Sequence, residues 1–474
     1  MTSLAPEITA AEPQADERQP WSILALLVVA QFMVILDITI VNVALPSIGS
    51  GLDFSPADLQ WVVTAYVICS GGLVLLGGRA ADFFGRRRVF LTGLLLFVLA
   101  SAGSGLAPSS GALVAARALQ GCGAAMMTPA ALSIISATYT GAQRTTALSI
   151  WGAIASGGIA AGVVLGGILT TWLGWRSVFL VNVPVGAVAF LLAPRLVPAL
   201  PADRARAGLD PFGAISLVGG LAALVYGLSG AAEHGWGSSR TLTPLVVAGA
   251  LLAVFALVER SVSEPLVPPA TWRQRPLIGG SAVILGATGI LAGTFFLVSV
   301  YLQDQLGFSA LGTGLAFLPF VLATGVGVHG TSHFVSHAGS RPLMAGGMAL
   351  SALAAGLLAL AAPGSYPAAV LPGLIVLGLG MGLAIPASSI TALSEAEGDG
   401  AGLSSGVLST GHEVGAALGT AILSAIAASG ASGSAWSFSG AFAAAAVISA
   451  LLVLAALTLA PSVRPAPGTV VNVH

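Results

Sequence analysis

The stretch Leu36-Asp37-Ile38-Thr39-Ile40-Val41-Asn42-Val43-Ala44-Leu45-Pro46 lies inside an apolar run that begins near Trp21. It sets one carboxylate and one amide among aliphatic side chains. A charge at membrane depth costs roughly 3 kcal/mol or more, so such a residue is a functional candidate by default. The rest of the chain fits that depth. Of 474 residues, 56% are hydrophobic and 7% charged, and the mean hydropathy is +0.96. A soluble domain carries about 25% charged residues. A water-soluble fold of this length is therefore excluded, and the bilayer is the solvent.

The net charge of -1 gives no general attraction to nucleic acid. All 17 basic residues are Arg. A chain without Lys cannot contain Gly-x-x-x-x-Gly-Lys, which excludes ATP coupling through a P-loop. Cys69 and Cys122 both fall in apolar runs and read as small packing residues rather than a disulfide framework. The first twenty residues are polar, and the first apolar run is long enough to span and stay, so no cleaved signal peptide is expected.

A spanning helix needs roughly 20 apolar residues. Fourteen candidates emerge: six between Trp21 and Pro194, two between Pro211 and Arg260, and six from Leu277 to Ala460. With the N-terminus inside, Arg18, Arg79, Arg86, Arg87, Arg88, Arg144, Arg195, Arg204, Arg206, Arg260, Arg273, Arg275, Arg341 and Arg464 are cytoplasmic. Arg176 and Arg240 fall outside, and Arg117 falls within a span. This asymmetry predicts both termini inside and an even number of spans. The organisation predicted is a cytoplasmic tail (1–20), an N-terminal six-helix bundle (21–194), a linker with two extra transmembrane helices (195–276), a C-terminal six-helix bundle (277–460) and a second cytoplasmic tail (461–474). Two bundles of equal size suggest internal duplication around a central pathway.

The connection after span two reads Gly77-Gly78-Arg79-Ala80-Ala81-Asp82-Phe83-Phe84-Gly85-Arg86-Arg87-Arg88. Gly78 and Gly85 permit a tight turn. Asp82 can accept from helix N-terminal amides or pair with an Arg such as Arg86 or Arg87, forming a latch. The bland alternative is a positive-inside anchor. Span four carries Arg117-Ala118-Leu119-Gln120-Gly121. A lone Arg there faces a partner, with Asp37 the obvious one, or water; otherwise it snorkels from near the interface. Span five holds Gly158, Gly162, Gly166 and Gly167, spaced for close helix contact. Span thirteen contains His412-Glu413. If that helix starts at Leu403, Glu413 lies about 15 Å deep. It is then a second protonatable site tuned by His412, and if the helix starts later both residues line a vestibule. His329, His333 and His337 share a helical face, but i to i+8 covers about 12 Å, too far for one ion. No metal site is assigned. Gln31, Asn42, Tyr66 and Gln120 are polar positions assigned to a substrate cavity, with bonding between helices the alternative for Gln31, Asn42 and Tyr66.

Together these motifs resemble the major facilitator superfamily, and more narrowly its fourteen-span drug:proton antiporter branch. The Leu36–Pro46 run resembles that branch's first-helix motif. Gly78 to Arg87 resembles the superfamily's hallmark loop, Arg117 to Gly121 the motif linked to proton coupling, and Gly158 to Gly167 the antiporter motif. Three departures stand out. Val163 occupies the place of the antiporter motif's Pro, in the second-half copy of the loop Ser336 stands where Asp82 stands in the first, and span thirteen carries His412-Glu413 where the family often has basic or amide residues.

The resemblance implies an all-α integral membrane protein of major-facilitator type, in the cell membrane and monomeric. It implies a proton-gradient-driven exporter of small lipophilic molecules working by alternating access, with Arg117 in the motif linked to proton coupling, while the residues themselves nominate Asp37 and Glu413 as protonatable sites, with His412 tuning Glu413. Two buried acids suit cations, and Arg117 offsets one of them. No cofactor is expected. The rivals are a proton-coupled importer of the same fold and a non-transporting polytopic receptor. An enzyme is disfavoured, because no span pairs a nucleophile with a base.

Overall fold

The computed structural model describes residues 21–198, 210–262, 265–268, 271, 273–361, 365–395, 400–429 and 437–464. The predicted tail 1–20, Arg204 and Arg206 lie outside the described residues, as does most of the predicted tail 461–474. Every regular element among the described residues is a helix. The first group is α1 (Trp21–Gly51), α2 (Pro56–Leu59), α3 (Trp61–Phe84), α4 (Arg86–Gly105), α5 (Ser110–Thr138), α6 (Gly141–Leu173), α7 (Ser177–Leu180) and α8 (Asn182–Leu196). A hairpin follows, α9 (Pro211–His234) and α10 (Ser239–Ser261). The last group is α11 (Arg275–Val300), α12 (Ala310–Ala316), α13 (Leu318–Ala338), α14 (Ser340–Ala361), α15 (Leu371–Ala392), α16 (Gly400–Ser429) and α17 (Phe438–Leu459).

Fourteen of these segments are long and apolar enough to cross a bilayer, as the hydropathy of the sequence predicts. Three are composite: α7 runs into α8, α11 continues through a π-helical turn over Tyr301–Gln305, and α12 runs into α13. The helix starts follow local chemistry. Ser109, Ser238 and Ser309 accept from backbone N–H groups at the starts of α5, α10 and α12. Asp210 caps α9 with Pro211 in its first turn. Between α3 and α4 the whole turn is one residue, Gly85, at φ +97°. Gly339, at φ +85°, makes the matching turn between α13 and α14 in the second half. Only glycine adopts such angles without strain. Gly78 takes no part in the turn expected of it and lies inside α3.

Leu322, Leu360 and other aliphatic side chains project from the outer surface, Leu360 at 88% exposure. This is ordinary for a lipid-facing helix. α10 is the most peripheral of the spans, while α11 and α15 are the most enclosed.

Candidate functional site

The quoted stretch forms the middle and end of α1, and its polar residues go to different neighbours. Asp37 and Thr39 are two residues apart and so about 200° apart around the helix. Asp37 faces α5. It is fully buried and forms an ion pair with Arg117, which is also fully buried. The other carboxylate oxygen, Oδ1, accepts from Gln120 Nε2 at 2.8 Å and Asn182 Nδ2 at 3.0 Å. The Arg117 guanidinium donates through Nε to the Val62 carbonyl of α3 at 2.8 Å and through Nη1 to Gln120 Oε1 at 2.7 Å. Its carbon lies 4.4 Å from the ring centre of Tyr66 and 5.6 Å from that of Phe179. Ser101 of α4 completes the set. It accepts from Gln120 at 3.2 Å and Asn182 at 3.1 Å and donates to the Phe179 carbonyl at 2.9 Å.

This is a sealed polar core joining α1, α3, α4, α5, α7 and α8. A charge at this depth persists only when its partners satisfy it. Asp37 has donors on both oxygens, and Arg117 has acceptors on two nitrogens and aromatic faces on its flanks. The alternative of an Arg117 snorkelling to the interface does not hold. Tyr66 and Gln120, expected to line a cavity, belong to this core and have no exposed surface. The Tyr66 hydroxyl is buried without a hydrogen-bond partner.

Thr39 faces the other way, against α6. A Cβ on Gly162 would lie 1.7 Å from Thr39 Oγ1, so glycine is the only residue that fits. Gly158 and Gly166 likewise meet Ile35 and Ile40 of α1. Gly167 instead meets Leu311 of α12, in the other group of helices. The antiporter-like glycines thus let α6 lie against both. With Val163 in the place of Pro, α6 runs unbroken over 33 residues.

Asn42 does not line an open cavity. Its Nδ2 donates to the Ile38 carbonyl of its own helix at 2.8 Å. Its backbone carbonyl matters more. Pro46 has no N–H, so the Asn42 carbonyl has no donor one turn on. Ser299 Oγ of α11 takes that place at 2.6 Å. Gln303 Nε2 donates to the next carbonyl, Val43, at 2.9 Å. The end of α1 is therefore bonded across to the second group of helices. Gln31 is half-buried and accepts from Thr128 Oγ1 at 3.2 Å.

Glu413 and His412 sit near the middle of α16, well inside the Leu403–Ala428 span. Glu413 is half-buried, with its Cβ against Gly71 of α3, and Thr410 donates to the Gly71 carbonyl at 3.1 Å. His412 is exposed. Glu413 does not join the Asp37 core. In the loop, Asp82 Oδ1 lies 3.8 Å from Arg86 Nε. Arg87 donates to the Pro194 carbonyl of α8, and Arg79 to the Pro265 carbonyl beyond α10 at 3.2 Å. His329, His333 and His337 are exposed along α13, and no group of three His, Cys, Asp or Glu among the described residues is placed to hold a metal.

The reading of the sequence missed Asn182 and Ser101. Asn182 stands in a Trp-Arg-Ser-Val-Phe-Leu-Val-Asn-Val-Pro run. A lone amide beside a proline inside an apolar segment was the one available signal.

Fourteen membrane-length helices, a charged pair sealed between them and cross-bonds between two helix groups define a polytopic membrane protein. Residues 27–420 match the model of the Major Facilitator Superfamily, and the chain belongs to that family. It is 42% identical over 428 residues to a puromycin resistance protein of Streptomyces alboniger, covering 88% of this chain and 83% of that one. It is 38% identical over 462 residues to a cephamycin export protein of Amycolatopsis lactamdurans, covering 95% and 94%. Among solved structures it superposes on an auto-inhibited POT family peptide transporter with a TM-score of 0.67 at 16% identity, covering 96% and 100%, a likeness of fold alone. The protein is a multi-pass membrane transporter.

Proposed function

We propose that this chain exports a small lipophilic molecule, of the kind its relatives' names indicate, in exchange for protons. The observation that carries the reading is the Asp37–Arg117 pair at mid-span, fully buried, with both carboxylate oxygens and two guanidinium nitrogens hydrogen-bonded. A structural role alone does not account for it well, because apolar residues of similar volume usually hold helices together as well or better. A proton on Asp37 removes the charge that holds Arg117. The core must then rearrange, which ties protonation to helix position. Glu413, half-buried against Gly71 of α3, is the second proton site, with His412 beside it. The two groups of helices act as the N-terminal and C-terminal bundles.

The arginine distribution supports both termini inside. In that orientation most of the bonds between the groups (Asn42 to Ser299, Val43 to Gln303, Leu311 to Thr171, Gln60 to Ser424) lie toward the external end and Thr410 to Gly71 lies near the middle, which supports a form closed outside. The Asp82–Arg86 loop is then cytoplasmic and acts as a latch in the opposite form. Asp37 takes a proton when the pathway opens outside and releases it inside, where substrate loads.

The test is efflux of a fluorescent lipophilic cation, and of puromycin, from proteoliposomes under an imposed pH gradient. Wild type should transport only with the gradient, and Asp37→Asn should lose that dependence. Undiminished proton-driven transport by Asp37→Asn would overturn the assignment. Accumulation in the opposite direction would favour an importer.

A further inference from the structure

The Asp37 carboxylate has three side-chain donors, and two of them, Arg117 and Gln120, stand three residues apart on α5 and move together. The third comes from a different helix. Asn182 opens α8, and one amide group serves both Asp37 at 3.0 Å and Ser101 at 3.1 Å. Ser101 is fixed in turn by the Phe179 carbonyl, one turn before Asn182. We propose that Asn182 and Ser101 are positioning residues for the proton site: Asn182 donates to the charged carboxylate from the α8 side and Ser101 holds the Asn182 amide, so that Asp37 takes up a proton only as α1 comes away from α5 and α8. This rests on the antiport reading above. A donor to the charged form opposes protonation. Asn182→Ala should therefore move the pH profile of gradient-driven transport upward by about one unit, the worth of one hydrogen bond to a charged group. Ser101→Ala should move it the same way by less, and Asn182→Ser, which keeps a donor, should partly restore it. Reduced transport with an unmoved profile in both alanine variants would show a merely structural role and overturn the proposal. Absence of gradient-driven transport in wild type would instead overturn the antiport reading.

A separate set of contacts gives the two extra helices a role. α9 lies over the seam where α3 meets α16, and it is fastened along that seam. Toward one end, buried Gln60 donates to Ser229 of α9 and accepts from Ser424 of α16 at 2.7 Å, and Trp61 meets Tyr226 with ring centres 6.4 Å apart. In the middle, Val218 fills the space over Gly72. Toward the other end, Ala214, Leu266 and Val267 form an apolar cluster with Leu73, Leu75 and Leu76 of α3 and Val407 of α16. Glu259 holds that segment through the N–H groups of Leu266 and Val267, at 3.2 and 2.8 Å, and Arg79 holds it through the Pro265 carbonyl. The opposite seam, where α6 meets α12, has no counterpart of α9 among the described residues.

We infer that the α9–α10 hairpin is a strap. It keeps α3 and α16 together throughout the cycle, so the bundles pivot about that seam and part along the α6–α12 seam. The test uses a chain with Cys69 and Cys122 replaced by Ser and a short reversible thiol cross-linker. One pair is Leu75→Cys with Gly406→Cys, where the Leu75 side chain fills the space beside Gly406. The other is Thr171→Cys with Leu311→Cys, whose parent residues are hydrogen-bonded at 3.2 Å. Bridging the first pair should leave transport intact. Bridging the second should abolish it until the bridge is reduced. Loss of transport on bridging Leu75→Cys to Gly406→Cys, or its persistence on bridging Thr171→Cys to Leu311→Cys, would overturn the inference.

Discussion

Replacing Asp37 by Asn keeps the size of the side chain and removes its charge, which turns the strength of the core into a measurement. Arg117 then remains fully buried with the Val62 carbonyl and Gln120 Oε1 as acceptors but no counter-ion. Breaking a buried pair from one side costs about 3–5 kcal/mol, because the other charge is left uncompensated. Arg117→Gln leaves Asp37 with only the Gln120 and Asn182 amides and should cost a similar amount. The double variant Asp37→Asn/Arg117→Gln removes both charges together. Replacing a buried pair as a whole by uncharged residues of similar size is often close to neutral, so it should be more stable than either single variant by roughly 3 kcal/mol. The assay is the apparent unfolding midpoint of the purified protein in one detergent, compared at one scan rate, because unfolding of a large membrane protein is under kinetic control. Each single variant should unfold several degrees below wild type. The double variant should recover much of that loss while still failing to couple transport to the proton gradient. If the double variant is no more stable than Asp37→Asn, the two groups are not energetically paired, and the argument from the sealed core fails.

Gly162→Ala places a methyl group 1.7 Å from Thr39 Oγ1, so α1 and α6 must separate. Overpacking of this kind costs about 1–3 kcal/mol or more, and the measurement is folded yield together with transport, with Thr39→Ala partly rescuing it. Gly85→Ala at φ +97° should cost about 1–3 kcal/mol of thermal stability, whereas Gly78→Ala inside α3, whose nearest neighbour is 3.7 Å away, should be neutral. A Gly78→Ala variant as damaged as Gly85→Ala would refute the assignment of the turn to Gly85 alone. Glu413→Gln should retain substrate binding but lower the number of protons exchanged per substrate, read by a pH indicator dye inside the vesicles. An unchanged ratio would remove Glu413 from the proton path.

The spans were legible because bilayer thickness imposes a length that composition reveals directly. The Asp37–Arg117 pair was legible for a related reason: a lone acid and a lone guanidinium in neighbouring spans have few other places to put their charge. Small polar residues carry no such constraint. Asn42 reads as a cavity residue, yet its amide bonds its own helix at Ile38, and Ser351, Thr324 and Ser388 do the same four residues back. In a bilayer a hydroxyl or amide can always satisfy itself this way, so its presence says little about where it points. Asn182 and Ser101 look no different in sequence, yet Asn182 bonds the carboxylate and Ser101 bonds Asn182. Tyr66 and Gln120 read as cavity positions and lie instead in the sealed core, a difference the sequence does not show because periodicity is weak where every face is apolar. The role of α9 was not legible at all, since it depends on Gln60 meeting Ser229 and Ser424, residues more than a hundred and fifty positions away.

The proline that ends the quoted motif ties the proton site to the cross-bond between bundles. Asp37 and Pro46 stand on one continuous helix, nine residues apart, about 14 Å along its axis. A helix this rigid carries a displacement at Asp37 to the far end. The missing N–H of Pro46 leaves the Asn42 carbonyl open to Ser299, and the same end of α1 receives Gln303 at Val43. Proton uptake that loosens α1 from α5 therefore strains the very bonds that hold α1 to α11. Pro46→Ala supplies an N–H that competes for the Asn42 carbonyl. It should weaken the cross-bond by about 0.5–1.5 kcal/mol, the net worth of one hydrogen bond. A shift of that size changes the ratio of open to closed forms by roughly two- to twelvefold. Labelling of a cysteine placed at Ser299 cannot report this, because the residue is part of the bond. A cysteine at Gln31, deeper on the same helix, can. Its labelling by an impermeant reagent applied from the external side should rise in Pro46→Ala in a chain whose native cysteines are replaced by Ser. Equal labelling in the presence and absence of Pro46 would mean that the proline serves only the shape of α1, and that protonation reaches the closed end by some other route.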